Sequence, residues 1–296
     1  MRSTLSLELS QWIAESVGPI ESANPCGWAQ SQSSVWRVTL SDGTTLYLKQ
    51  FKEESKRQQE IEAYERWVPL LRNQPFSLPN LLAKSAPELC AIALSTLEGQ
   101  LAADEALTPQ ENEELHFQAG VFLRKLHSLP FDDPDPVPLS EALPLRLQFW
   151  CSRGQQWLSH KEIDFACSLV RDGRPFRRDR RVPCHRDYQM RNWIFNKNRC
   201  SPTLGIIDFE HSRADHPLID FVRVYENAAR DDSISWRAFT RGYDHKMDRS
   251  ELDRLLAIAV IHAIGSVVWG STHGDNGLVN SGHELLKFLR VQSAVL

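Results

Sequence analysis

The 296-residue chain is 42% hydrophobic and 24% charged, with 14 glycines and 16 prolines scattered through mixed sequence, which excludes a disordered, collagen-like or coiled-coil protein and fits one large or two small domains. Its 34 Lys and Arg against 38 Asp and Glu give a formal net charge of −4, so nothing global drives it onto nucleic acid or an anionic membrane. The six cysteines form no CxxC pair and no apolar signal-peptide core opens the chain, so a reducing cytoplasm is the expected setting.

A short helix is expected over residues 5–17. Two β-rich runs, residues 34–40 and 45–51, flank Ser41-Asp42-Gly43-Thr44, and Asp-Gly there is a strong hairpin signal. Residues 53–71 follow a helical pattern with a kink expected at Pro69. Apolar runs near 78–82 and 90–94 complete a small sheet, and a hinge-like stretch, Ser95-Thr96-Leu97-Glu98-Gly99, follows.

Beyond Gly99 the pattern is mainly helical. Residues 111–128 are amphipathic, with Leu115, Ala119, Phe122, Leu123 and Leu126 on one side. Prolines at 130, 134, 136, 138 and 144 predict an irregular surface segment, with helix resuming over 145–170. An arginine cluster (Arg171, Arg174, Arg177, Arg178, Arg180, Arg181), diluted by Asp172 and Asp179, reads as a solvated face. Residues 185–210 have strand-turn-strand character. The apolar window 255–269 is too short to span a bilayer and reads as a buried helix. A small α+β part thus precedes a larger helical part, with the boundary near residues 95–100.

The chemistry concentrates in CHRDYQMRNWIFNKNRCSPTLGIIDFE, residues 184–210. If its two short strands pair as a hairpin, Asn192 begins one and Asp208 ends the other, and both oxygen side chains leave the same end of the ladder. Hard oxygen ligands arranged in this way suit Mg²⁺. His185-Arg186-Asp187, Asn192 and Ile207-Asp208-Phe209-Glu210 together resemble the catalytic loop and metal-binding Asp of the aminoglycoside phosphotransferase/choline kinase family, small-molecule relatives of protein kinases.

The resemblance implies a two-lobed protein-kinase-like α+β fold. Residues 1–98 form a small nucleotide-binding lobe with an antiparallel sheet and one main helix. Residues 99–296 form a larger, mostly helical lobe with the catalytic loop and acceptor site. It implies Asp187 as catalytic base, Asn192 and Asp208 as Mg²⁺ ligands, and ATP or GTP as phosphoryl donor. Lys49, ending the second hairpin strand, takes the place of the lysine that contacts the α- and β-phosphates. On the following helix Glu60 falls within the apolar arc of Ile61, Tyr64, Trp67, Val68 and Leu71, so it is the expected partner of Lys49, with Glu62 as the alternative. Phosphate cover is expected from the loop 27–34, where Ser31, Ser33 and Ser34 donate, and Ser95 and Leu97 of the hinge-like stretch are assigned to the nucleotide.

Two positions depart from the family pattern. Tyr47 shares a strand face with Lys49 where the family has a small or β-branched residue, so it narrows the adenine pocket, stacks on the base or turns aside. Arg186 stands where aminoglycoside-modifying members commonly carry Gly. His-Arg-Asp-Tyr-x-x-Arg-Asn is similar to members acting on sugars, including the N-acetylmuramate/N-acetylglucosamine anomeric kinases. His185, His127 and Asp220 are expected to brace rather than react. The expected activity is phosphoryl transfer to a hydroxyl of a small molecule such as an aminoglycoside, an amino sugar or sugar, or a choline-like alcohol. A catalytically silent nucleotide-binding module and a metal-dependent hydrolase are the competing classes. Neither nucleic acid nor membrane is an expected partner.

Overall fold

A computed structural model describes residues 5–27, 33–72, 75–170, 173–197, 203–231 and 233–295, the side chains at 228–231, 233, 294 and 295 excepted. Ser31, Arg171 and Asp172 lie outside the described residues. The chain divides into two compact units, Met1–Gln118 with Gln189–Arg213, and Ala119–Tyr188 with Ala214–Leu296. This division differs from a single cut after residue 98, because strand pairing returns the 193–206 hairpin to the first unit.

In the first unit, α1 (Leu7–Ser16) starts at Ser6, whose hydroxyl accepts from Leu9 N–H as an N-cap. The strands are β1 (Ile20–Pro25), β2 (Ser33–Leu40), β3 (Thr45–Phe51), β4 (Phe76–Ser77), β5 (Leu81–Lys84), β6 (Ala91–Ser95) and β7 (Gln100–Leu101); β8 (Val182–Cys184) belongs to the other unit. Among the described residues, five strands pair antiparallel in the order β1-β2-β3-β6-β5. The Asp-Gly turn closes the β2–β3 hairpin with Gly43 at φ +85°, a conformation its missing Cβ permits. Strand alternation sends Trp36, Val38, Leu46 and Leu48 to one face, where they pack with Leu9 and Ile13 of α1. Val35, Arg37, Tyr47 and Lys49 take the opposite face.

The helix after β3 breaks earlier than expected. The helix α2 (Glu54–Arg66) ends at Trp67, and α3 (Val68–Leu71) begins there with Pro69 in its first turn, where a missing N–H costs nothing. The later hairpin, β9 (Trp193–Asn196) and β10 (Thr203–Ile206), joins a four-stranded sheet in the order β4-β10-β9-β7.

The second unit is helical apart from β8 and β11 (Arg213–Asp215). Its helices are the end of α4 (Pro109–His127), then α5 (Leu139–Gly154), α6 (His160–Val170), α7 (Val222–Asp231), α8 (Ser233–Tyr243), α9 (Arg249–His273) and α10 (Asn276–Val295). The apolar α9 is long enough to cross a membrane, but 72% of its apolar window is buried against neighbours such as α5, α6 and α10. It is the core helix, capped by Asp248 and stopped by Gly274 in the left-handed conformation.

Two expectations are corrected in this unit. Helix α5 begins at Leu139 and contains Pro144 in its second turn, rather than starting after it. Gly173 packs directly against the Ser140 carbonyl, the group that Pro144 cannot bond. Arg181 is buried rather than solvated. Its guanidinium donates to Asp133 at 2.9 Å and to the Val137 carbonyl at 2.8 Å and pairs with Asp135, so it pins the proline-rich segment. That segment is poor in N–H donors, and an arginine fork supplies them.

Candidate active site

Strand alternation turns Lys49 away from the α1 core, and its ammonium is buried among three acids of the first unit. Nζ lies 2.7 Å from Glu60 Oε2, 2.5 Å from Asp208 Oδ1 and 3.0 Å from Glu210 Oε2. Glu60 is therefore the partner. Glu62 faces solvent and pairs with Arg66 one turn on. The other Glu60 oxygen accepts from Phe209 N–H at 3.2 Å, and the Phe209 ring meets Tyr64 edge-on at 5.4 Å. A single carboxylate on α2 thus fixes both the lysine and the backbone next to Asp208.

Burial acts to lower the Lys49 pKa, but Asp208, Glu60 and Glu210 outweigh it and hold the ammonium well above its ordinary value. Burial pushes Glu60 up, with Lys49 working against it. Glu210, also penalised by burial, is held well below the carboxylate range by His211 and Lys49.

The hairpin sets the geometry at Asp208. Trp193 pairs with Ile206, and the Asn192 carbonyl accepts from Ile207 N–H at 3.1 Å, so Asn192 and Asp208 leave the same end of the ladder. Asp208 has φ +67°, a left-handed turn that Asp tolerates better than most residues and that ends the strand. Oxygens of Glu60, Asp208 and Glu210 lie within 4.8 Å of one another. Ser33 Oγ donates to Glu210 at 3.3 Å, while Ser34 stands opposite Gln50 in the β2–β3 ladder.

Tyr47 sits between Arg37 and Leu94 in register, half-buried, with burial raising its phenol pKa. Ser95 is tied to Asn80 through both its N–H and its hydroxyl. The Leu97 side chain packs on Gly205, where a Cβ would come within 2.8 Å of it.

The second unit holds His185, Arg186 and Asp187, while Asn192 belongs to the first. Asp220, fully buried, accepts from the backbone N–H groups of His185 (2.9 Å) and Arg186 (2.5 Å) and bonds His127 Nε2 at 3.0 Å; His127 Nδ1 in turn meets the Tyr243 hydroxyl at 2.9 Å. His185 is wholly buried, and Asp187 N–H donates to its Nδ1 at 3.4 Å, a bracing role. Tyr188 anchors the loop through its hydroxyl to the Ala119 carbonyl at 3.0 Å. Asp187 itself is 9% exposed.

Two acids of consequence were given no role from the sequence, Glu210 and Asp215. Glu210 had a signal, since it stands two residues after Asp208 in Asp-Phe-Glu. Asp215 had none, because the arginines that hold it come from α5 and from the catalytic loop.

Comparison with known proteins adds family and fold. The sequence profile of the phosphotransferase enzyme family matches residues 23–256. Among solved structures, the chain resembles the GDP and kanamycin complex of APH(2″)-IIia at 16% identity and TM-score 0.77, over 97% of this chain and 99% of that one. It resembles the streptomycin–ATP–APH(2″)-IIa ternary complex at 18% and 0.69, over 96% and 97%. It also resembles macrolide 2′-phosphotransferase type I at 14% and 0.71, over 96% and 98%. At these identities the likeness establishes the kinase-like fold, a small antiparallel sheet followed by a mainly helical part. No curated protein matches the sequence significantly.

Proposed function

Because the chain belongs to the phosphotransferase enzyme family, we propose that it moves the γ-phosphoryl group of ATP or GTP to a hydroxyl of a small molecule in the cytoplasm. The observation that carries this reading is the Lys49 ammonium held jointly by Glu60 of α2 and Asp208 after β10. Phosphoryl transfer asks mainly for alignment and charge neutralisation, and a buried lysine whose neighbouring acids raise its pKa supplies both to phosphate oxygens.

In this reading Glu60 orients Lys49 and the Ser33 hydroxyl donates to phosphate, whereas Ser34 alternates onto the face of β2 opposite Lys49. Tyr47, Ser95 and Leu97 border the base. The chemistry of the donor set fits Mg²⁺: oxygen atoms only, with three carboxylates against one ammonium. Asn192 and Asp208 would hold it, and when bound it neutralises charge on the phosphate oxygens. Asp187 takes the proton of the acceptor hydroxyl. The GDP, ATP, kanamycin and streptomycin named with the related structures support a nucleotide donor and a small-molecule acceptor.

The test is melting with ATP or GTP, with and without Mg²⁺, followed by nucleoside-diphosphate release across aminoglycosides, amino sugars, sugars and choline. We expect metal-dependent stabilisation by nucleotide and acceptor-dependent release. Stabilisation with no turnover on any acceptor would make this a binding module. Metal-dependent hydrolysis indifferent to nucleotide would make it a hydrolase.

A further inference from the structure

Asp215, at the end of β11, is a buried acid that the reading of Asp187 as base leaves unused. Its side chain has no exposed area. Arg146 of α5 grips both oxygens, with Nη1 2.9 Å from Oδ2 and both terminal nitrogens 3.3 Å from Oδ1. Arg186 Nε lies 3.0 Å from Oδ2, an ion-pair contact off the N–H axis rather than an aligned hydrogen bond. His216 N–H donates to Oδ1 at 2.9 Å. Two guanidinia on one carboxylate keep it ionised although burial opposes this.

Arg186 carries a strained backbone, φ +67°, in a region that long side chains seldom adopt. A residue stays there only where its surroundings over-determine it. Its N–H is held by Asp220 Oδ1, and its guanidinium by Asp215. Among the described residues, no other acid pairs with that guanidinium. Arg186 directly precedes Asp187, and the peptide joining them is planar. Holding residue 186 at both ends therefore narrows the directions in which residue 187 can leave, with ψ of residue 186 the remaining freedom.

We infer that Asp215 is a positioning residue for Asp187. It acts through the Arg186 guanidinium, and Arg146 keeps the Asp215 carboxylate in place. The inference rests on the reading of Asp187 as base. Backbone clamping by Asp220 does not reach the Arg186 guanidinium, and among the described residues Asp215 is the acid that holds it.

The test uses ADP release from ATP and Mg²⁺, with water as probe acceptor, in Asp215→Asn, Arg186→Met, their double variant and Arg146→Gln. We expect Asp215→Asn and Arg186→Met each to lower kcat about 30-fold, the scale of a small misplacement of a reacting group, with KM for ATP within about twofold. The double variant should lose no more than either single one, because one contact is broken in all three. Arg146→Gln, which keeps the Asp215–Arg186 pair, should lose about threefold. Wild-type kcat in both Asp215→Asn and Arg186→Met, or losses that multiply in the double variant, would overturn the inference. Asp187→Ala separates the two readings: if it keeps ADP release, the base assignment fails independently of Asp215. A readout free of turnover, and of any failure of Asp215→Asn to fold, is the backbone amide shifts of nitrogen-15-labelled Arg146→Gln. Those of residues 186 and 187 should move while those of β3 stay, and unmoved amides would reject the coupling.

Discussion

Around Lys49, three carboxylates share one ammonium; around Asp215, two guanidinia share one carboxylate. The first cluster has a surplus of negative charge and one acid, Asp208, with a third of its side chain open to solvent. In the proposed function it takes up a cation and a phosphate chain. The second has its one acid saturated by donors and closed to water, the pattern of a brace rather than a binding site. The contrast separates groups meant to exchange partners from groups meant to keep them.

The sharpest way to break this comparison is to remove the residues proposed as base and metal ligand. Asp187→Ala and Asp208→Ala should each cut acceptor-dependent ADP release by about a thousandfold, and Asp208→Ala should also lose about 1–2 kcal/mol of stability, because it takes a partner from Lys49 and puts alanine in a left-handed turn. Near-normal turnover in either would remove that residue from the site. Next in size is Lys49→Met, which strands Glu60 with no cation. We expect about 3–5 kcal/mol less stability by urea unfolding, together with loss of nucleotide-dependent stabilisation. Glu60→Gln should cost less, about 1–2 kcal/mol, because Asp208 and Glu210 still hold the lysine.

The brace should reveal itself in acid. Asp215 has its pKa lowered from the ordinary 3.8 to about 2, its arginines prevailing over burial. A carboxylate depressed in the folded state stabilises fully above the unfolded value, and the contribution fades as pH falls from 3.8 toward 2. Urea midpoints followed down through this window should lose about 2 kcal/mol from this group. The same loss should be missing from Asp215→Asn, whose starting stability is lower. Smallest of all is Glu62→Gln, on the solvent side of α2. It should change stability by no more than about 0.5 kcal/mol and leave ADP release unchanged.

Much of the site was legible because its signals are local. The Asp42-Gly43 hairpin put Lys49 on a strand, and a helical arc distinguished Glu60 from Glu62 within a single turn. The spacing from Asn192 to Asp208 marked a hairpin with both ends together. Legibility stopped where a local rule met a distant partner. Pro144 breaks an isolated helix by propensity, yet α5 runs through it, with its free carbonyl packed on Gly173. Arg181 belongs to a charge run that reads as solvated, yet it is buried on acids 46 and 48 residues earlier in the chain.

Periodicity and spacing by themselves marked most of the strands and helices and the faces of Lys49, Glu60 and Glu62, since both depend on neighbours a few residues away. The tertiary structure alone decided which other charges meet. Glu210 joins Lys49 across 161 positions of sequence, and Arg146 reaches Asp215 across 69. Burial makes such meetings obligatory, because an acid withdrawn from water must find a cation, but packing of the whole chain chooses which cation it finds.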